Sequence, residues 1–371
     1  MRCKFIISLM ILGIFFSCNI LNSLFEDEPQ ITLTKPEAVV IFLIGDVEYG
    51  GKKLKVGDVV SSDHEIKVLN NALCDLQMIK VKTDMLMRFK SNSTFYLSSL
   101  KVNDSLQNTI FIKSGSGIFK VNKLSKEEDY KVVTPTSVAG VRGTFFLVSF
   151  IADVAITYVK EGKVTVRPFV GALERSLGGS IQEHKLLTSA YDYFADEEQI
   201  LEAEQSNQVS KQDLNSKLKD NPDLQTIANQ PQPTITTSNT EKVDYSRIEA
   251  SLEKRKTVSS SNQDSKTKVS KASVQERRVF IDESKGLEFV SKDKLSQPES
   301  RKDAIESRNK SNQNNLIDLM ANVKKSRIET LILKSGQTIR GIIYEDGKFY
   351  IIEQPNGITK VPSKLVKGYV F

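Results

Sequence analysis

The sequence predicts a mainly β protein in three parts. These are an exported all-β domain of sandwich or solenoid-like build, a spacer with disordered and helical stretches, and a small C-terminal antiparallel β-module. Three observations predict it. Between residues 38 and 168, short strand-like runs recur about every ten residues with polar turns between them. Between 205 and 313 the chain is rich in Ser, Gln, Asn, Lys and Asp and poor in aromatics, so apolar burial is too sparse to offset the entropy of ordering. Near the C-terminus, Asp346-Gly347 and Pro355-Asn356-Gly357 lie between apolar runs, the strongest short hairpin signal.

The elements follow in chain order. Met1, Arg2 and Lys4 form a basic start, and Phe5 to Phe16 is apolar apart from Ser8 and Gly13. That run is short for a bilayer span and suits the hydrophobic region of a secretory signal. It ends at Phe15-Phe16-Ser17-Cys18, which resembles a bacterial lipoprotein cleavage site, closer to the relaxed spirochaete pattern than to the strict enterobacterial one. On this reading residues 1–17 are a signal peptide, Cys18 is the lipidated first residue, and 18–37 are a polar tether. A multiply acylated cysteine is a firm anchor, at about 0.8 kcal/mol per buried methylene. An uncleaved signal anchor and an ordinary secretory signal are the alternatives.

The β-domain is assigned to 38–168. Val39 to Ile44 is a strand-like run broken by Gly45, and Gly50-Gly51 turns the chain before Leu54 to Val60. Ile66 to Val68, Leu76 to Val81, Met85 to Phe89 and Thr94 to Leu97 follow at regular spacing. Thr109 to Val121 carries Gly115 and Gly117 around Ser116. Then comes Thr134-Pro135-Thr136-Ser137-Val138-Ala139-Gly140-Val141-Arg142-Gly143-Thr144-Phe145-Phe146-Leu147-Val148, followed by a closing strand pair around Glu161-Gly162-Lys163.

The segment from Thr134 to Val148 resembles, nearly residue for residue, the signature of the FecR family, "TP-x-(A/S)-VAGVRGT-x-F-x-V". The texture from Gly45 to Val60, the strand-turn-strand at 109–121 and the closing pair also resemble that family, over about residues 38–168. The resemblance implies an envelope β-domain. The best-known members are sigma-factor regulators whose FecR domain senses a transporter's signalling domain in the periplasm. This chain departs from their plan: it shows no cytoplasmic segment before the signal and no later apolar run of spanning length. Two readings of Gly140, Val141, Arg142, Gly143 and Thr144 stand. Either the glycines serve a turn and a close strand approach, or the turn presents Arg142 as a recognition residue.

Beyond Pro168 the pattern weakens. Residues 169–204 read as helical or irregular, with amphipathic spacing over Gln182 to Glu204. Residues 205–313 read as a mostly disordered linker with isolated apolar spots at Phe280-Ile281 and Leu287 to Val290. Residues 314–371 read as a short helix, Asn314 to Lys325, and about five strands in a small barrel-like module.

Catalytic vocabulary is sparse. The chain has no Trp, two histidines and three cysteines. Cys3 falls in the signal and Cys18 is assigned to lipid, which leaves Cys74 without an intrachain disulfide partner. Ser61-Ser62-Asp63-His64 offers triad residue types, but contiguous residues point apart. No zinc, calcium-loop or phosphate-loop spacing occurs, so no cofactor and no metal are expected. The net charge of +6 falls to +4 once Arg2 and Lys4 leave with the signal, without a nucleic-acid-binding stripe. The expectation is a non-enzymatic, lipid-anchored protein on the exported side of a membrane, periplasmic or outer. Its partners would be the membrane, through the anchor, and other envelope proteins or peptidoglycan, with no nucleic acid. It would act as an interaction scaffold or, alternatively, as a signal-sensing regulatory partner.

Overall fold

Continuous apolar runs such as Val39-Val40-Ile41-Phe42-Leu43-Ile44 form strands covered on both faces, because a strand with only one buried face alternates apolar and polar residues. The computed structural model describes residues 31–169 except 124, 126 and 142, together with 198–219 and 269–370. It is mainly β.

The strands of the β-domain are β1 (Ile31–Thr34), β2 (Glu37–Ile44), β3 (Val47–Tyr49), β4 (Lys52–Lys53), β5 (Val59–Val60), β6 (Ile66–Val68), β7 (Leu73–Ile79), β8 (Met85–Phe89), β9 (Ser93–Val102) and β10 (Ser105–Val121). They continue as β11 (Glu128–Val133), β12 (Ser137–Val141), β13 (Phe145–Ile151), β14 (Val154–Glu161), β15 (Val164–Pro168), β16 (Gln199–Leu201), β17 (Gln205–Ser210) and, after helix α1 (Lys211–Lys219), β18 (Val269–Lys271). A front sheet runs β4-β3-β6-β9-β10-β11-β12-β15-β16, with β1 beside β9. A back sheet runs β5-β2-β7-β8-β10-β13-β14-β17-β18. All pairings are antiparallel except β10–β11.

Strand β10 belongs to both sheets and joins them into one barrel-like system. It changes sheet at a bulge between Ile112 and Ser114 followed by Gly115 at φ +89°. A Cβ on Gly115 would stand 2.5 Å from the Ser93 Cα, so only glycine fits this crossing. Between the sheets lies an apolar core. Phe95, Ile110, Val132 and Val166 come from the front, and Val40, Leu76, Met87, Phe89, Phe119 and Phe146 from the back.

The outer face of the back sheet is covered by the chain that returns after β18. Helices α2 (Val274–Glu283), α3 (Lys292–Ser296) and α4 (Pro298–Ser311) form a strap. Its Phe280, Leu287, Val290, Leu295 and Ile305 pack on Val39, Ile41, Ile79, Leu86, Ile118 and Tyr158. Ser273 and Glu276 form a complete capping box that starts α2. Helix α5 (Gln313–Lys324) then sets Leu316, Leu319 and Met320 on Phe42, Ile44 and Leu73. A bulge between Val40 and Phe42 turns Ile41 and Phe42 to the same side, which feeds both contacts from one strand.

These observations correct the reading of the spacer. The expected disordered linker over 205–313 is instead ordered at both ends: β17 and α1 occupy 205–219, and β18 with the strap occupies 269–311. Five apolar residues of the strap, Phe280, Leu287, Val290, Leu295 and Ile305, reach one sheet face, and buried polar bonds supply the rest. Within 169–204, Gln199–Leu201 is a strand whose alternating burial matches its pairing with β15, not a helix. Residues 170–197 and 220–268 lie outside the described residues, as do the N-terminal 30.

The C-terminal module contains β19 (Glu329–Leu333), β20 (Thr338–Asp346), β21 (Phe349–Gln354), β22 (Gly357–Pro362) and β23 (Val366–Val370), in the order β22-β21-β20-β19-β23. Its own core is small, built on Leu331, Ile352 and Val361. Ile342 joins the α5 cluster, and Arg340–Asp318 at 2.7 Å adds an ion pair to that contact.

Candidate functional site: a signature corner and a buried polar latch

The signature opens with the turn between β11 and β12 and closes with the corner between β12 and β13, both set by small residues. The backbone N–H of Thr134 donates to the Ser137 carbonyl at 2.9 Å, and the N–H of Ser137 donates to Thr134 Oγ1 at 3.0 Å, closing a turn around Pro135. Thr136 Oγ1 donates to the Val209 carbonyl at 3.1 Å and ties this turn to β17. Gly140 sits within β12 opposite Thr165, whose Oγ1 would lie 2.5 Å from any Cβ there. Val141 ends β12 buried in the inter-sheet core. Gly143 turns the corner at φ +67°, and a Cβ there would stand 3.0 Å from the Lys123 Cα. Thr144 is buried, and its carbonyl accepts from the Val121 N–H at 2.9 Å. Arg142 and Cys18 lie outside the described residues.

A second constellation lies on the outer face of the back sheet, and the sequence reading missed it. Asp75 on β7 and Arg88 on β8 face each other across the strand pair and are both fully buried. Arg88 Nε and Nη2 donate to the two Asp75 carboxylate oxygens, each at 2.6 Å. Arg88 Nη1 donates to the carbonyls of Glu283 and Lys285 at 2.9 and 2.7 Å. From the strap side, Arg308 brings Nη2 within 3.7 Å of Asp75 and donates to the carbonyls of Gly286 and Glu288. Burial pushes the Arg308 pKa down, with Asp75 opposing that shift. Gln77 makes a two-point pair with the strap backbone: its Nε2 donates to the Val290 carbonyl, and its Oε1 accepts from the Val290 N–H, each at 2.8 Å. Asn309 Nδ2 donates to the bulged Ile41 carbonyl at 3.3 Å.

This latch recognises polypeptide backbone. Its side chains donate to carbonyls of 283–290 that receive no helix or sheet-ladder hydrogen bond, which is what an irregular buried segment requires. A lesser clasp holds the start of the strap. Glu204 accepts from Lys160 at 2.6 Å and from the Tyr158 hydroxyl at 3.2 Å, and Arg277 of α2 lies 3.6 Å away. Chiefly through the Lys160 hydrogen bond, the Glu204 carboxyl is held below its usual range. The Tyr158 phenol is pushed up to about 12, first by burial and then by Glu204.

The remaining sequence-level residues fall elsewhere. His64 packs edge-on against Tyr49 at 5.3 Å, and Asp63 pairs with Lys35 at 3.1 Å, so they form no triad. Cys74 is buried in the inter-sheet core, and burial pushes its thiol well above the ordinary value. Two surface clefts of about 680 and 550 Å³ contain neither histidine nor cysteine. Among the described residues, no three His, Cys, Asp or Glu gather as metal ligands, and no helix is long and apolar enough to cross a membrane.

Residues 76–165 match the family model described as FecR protein. The chain carries a FecR domain. The match begins within β7 and ends within β15, so it includes Gln77, Arg88 and the signature corner but neither β2 nor the strap. Two crystal structures, at 1.65 and 2.50 Å, of a protein described as a candidate anti-sigma factor from Parabacteroides distasonis are similar to the chain at TM-scores of 0.28 and 0.26. Each is 12% identical and covers 56% of this chain and 99% of its own. A likeness that low carries no functional argument. No curated protein matches the chain.

Proposed function

We propose that the chain is a non-enzymatic, lipid-anchored envelope protein with a regulatory, signal-sensing role, its FecR domain acting as the receiving module. The observation that carries this reading is the FecR match over a sandwich whose signature corner is built by Gly140, Val141, Gly143 and Thr144. The family match favours regulation over the scaffold reading, since the members known best are regulators. Anchored at Cys18 on the exported side, the domain would relay occupancy to another membrane protein rather than reach a sigma factor itself. Arg142 at the corner is the proposed contact. Strand β12 runs from this corner back to the β11–β12 turn, where Thr136 is bonded to β17; β17 pairs with β18, and β18 leads into the strap, so a contact at the corner has a continuous route to the C-terminal module.

Transcript profiling of a deletion strain tests the role. Regulation predicts that a restricted gene set shifts, and that the wild-type chain restores it while a normally folded Arg142→Glu chain does not. Unchanged transcripts together with a weakened envelope would favour the scaffold. The anchor is tested separately by mass spectrometry of the N-terminal peptide, where an acylated Cys18 lacking residues 1–17 is the expected species.

A further inference from the structure

Three turns of the C-terminal module meet at one end. The short 3-10 turn Ser363–Leu365 is hydrogen-bonded on one side to the β20–β21 hairpin: the Ser363 N–H donates to the Lys348 carbonyl at 2.9 Å, and Ser363 Oγ donates to Gly347. On its other side the Lys334 N–H of the β19–β20 turn donates to the Leu365 carbonyl at 2.8 Å. The result gathers Lys334, Lys348 and Lys364, all exposed, around Phe349 and Leu365, which are 41% and 47% exposed. None of the three lysines forms an ion pair with a described residue, whereas Lys324 and Arg340, elsewhere on the module's flank, are paired with Glu353 and Asp318. Asp346 is the one acid in these three turns.

We propose that this end of the module is a docking surface for an anionic lipid membrane. Exposed apolar side chains ringed by unpaired lysines match an interface in which the apolar groups enter the acyl boundary and the ammonium groups meet acidic headgroups. Charge complementarity selects this occupant, because an apolar protein groove would leave three ammonium groups facing no counter-charge. Lysine suits such a surface, since its long stem lets the charge remain in the headgroup layer while the apolar neighbours sink. The site would give the chain a second membrane contact, at the opposite end of the sequence from Cys18.

The chain has no tryptophan, so Leu365→Trp in the full chain places a single reporter at the proposed contact. The reporter reads burial at the module itself, wherever else the chain touches the vesicle. Vesicles of phosphatidylcholine with phosphatidylglycerol should shift the emission to the blue and allow quenching by brominated acyl chains, while pure phosphatidylcholine should do neither. Raising salt from 0.1 to 1 M should reverse the shift, because screening shortens from about 10 to about 3 Å. Exchanging Lys334, Lys348 and Lys364 together for Glu should abolish the shift without moving thermal unfolding. If Leu365→Trp impairs folding, Phe349→Trp serves the same readout. An unchanged emission on anionic vesicles, or equal shifts on both lipid mixtures, would overturn the proposal. So would a response to soluble polyglutamate but not to vesicles, which would assign the surface to an acidic protein partner.

Discussion

The two faces of the back sheet are buried by opposite chemistries. Its inner face meets the front sheet through Val40, Leu76, Met87, Phe89 and Phe119, with no polar group needed for the match. Its outer face, on the same strands β7 and β8, buries Asp75, Gln77 and Arg88 completely and matches them to the backbone of the strap. The inner contact is non-directional and tolerates any well-filled packing. The outer contact is directional: a slip of one residue along 283–290 would leave a buried guanidinium and several carbonyls unsatisfied. Apolar burial holds the sandwich together, and the polar latch fixes which segment covers it and in what register.

The largest expected effect breaks the latch. Arg88→Met leaves Asp75 buried with only the longer Arg308 contact and should cost about 3–5 kcal/mol in denaturant unfolding. Adding Asp75→Leu should recover part of that loss, and strictly additive costs would mean that the two groups are uncoupled. Gly143→Ala, at a left-handed corner with Lys123 close by, should cost about 1–3 kcal/mol, through strain that neither sheet face shares. Gln77→Leu removes both bonds to Val290 and should cost a similar 1–3 kcal/mol, confined to the strap in a proteolysis assay. On the inner face, Leu76→Met keeps volume and should cost less than about 1.5 kcal/mol. That contrast between neighbouring residues of β7 sharpens the comparison most.

The smallest effect is titration of the Glu204 clasp. Because the folded carboxyl titrates below the ordinary value of 4.5, its contribution is fully present above that pH and is lost as pH falls through the depressed folded value. The stability difference between wild type and Glu204→Gln should therefore be constant at neutral pH and shrink in acid. A difference that grows in acid would reverse the sign of the linkage.

The sequence displayed what local chemistry writes into it. Strand spacing, the Asp346-Gly347 and Asn356-Gly357 turns and the glycine corner at 140–143 follow from turn preferences and apolar patterning. The strap does not announce itself that way. Helix α4 buries Ile305 together with Arg308 and Asn309, so its inward face reads as solvated. The parallel β10–β11 pairing is equally silent, because register across distant strands is a property of tertiary contact. One signal did exist. Met85-Leu86-Met87-Arg88-Phe89 is apolar on both faces except for one arginine, and Leu73-Cys74-Asp75-Leu76-Gln77 is its counterpart. Strands covered on both sides with a single charge each imply a partner that meets that charge.

The central claim is that residues 284–312 are an integral cover of the FecR domain, held by Asp75, Gln77, Arg88 and Arg308. Amide hydrogen exchange on the intact chain tests it most directly, because the Val290 N–H is bonded to a side chain of β7 rather than to a helix or ladder. The account predicts that peptides spanning 284–312 exchange as slowly as those of β7 and β8, and that Arg88→Met releases them first. Exchange of that segment within seconds in the wild-type chain, beside protected β7 and β8, would contradict it.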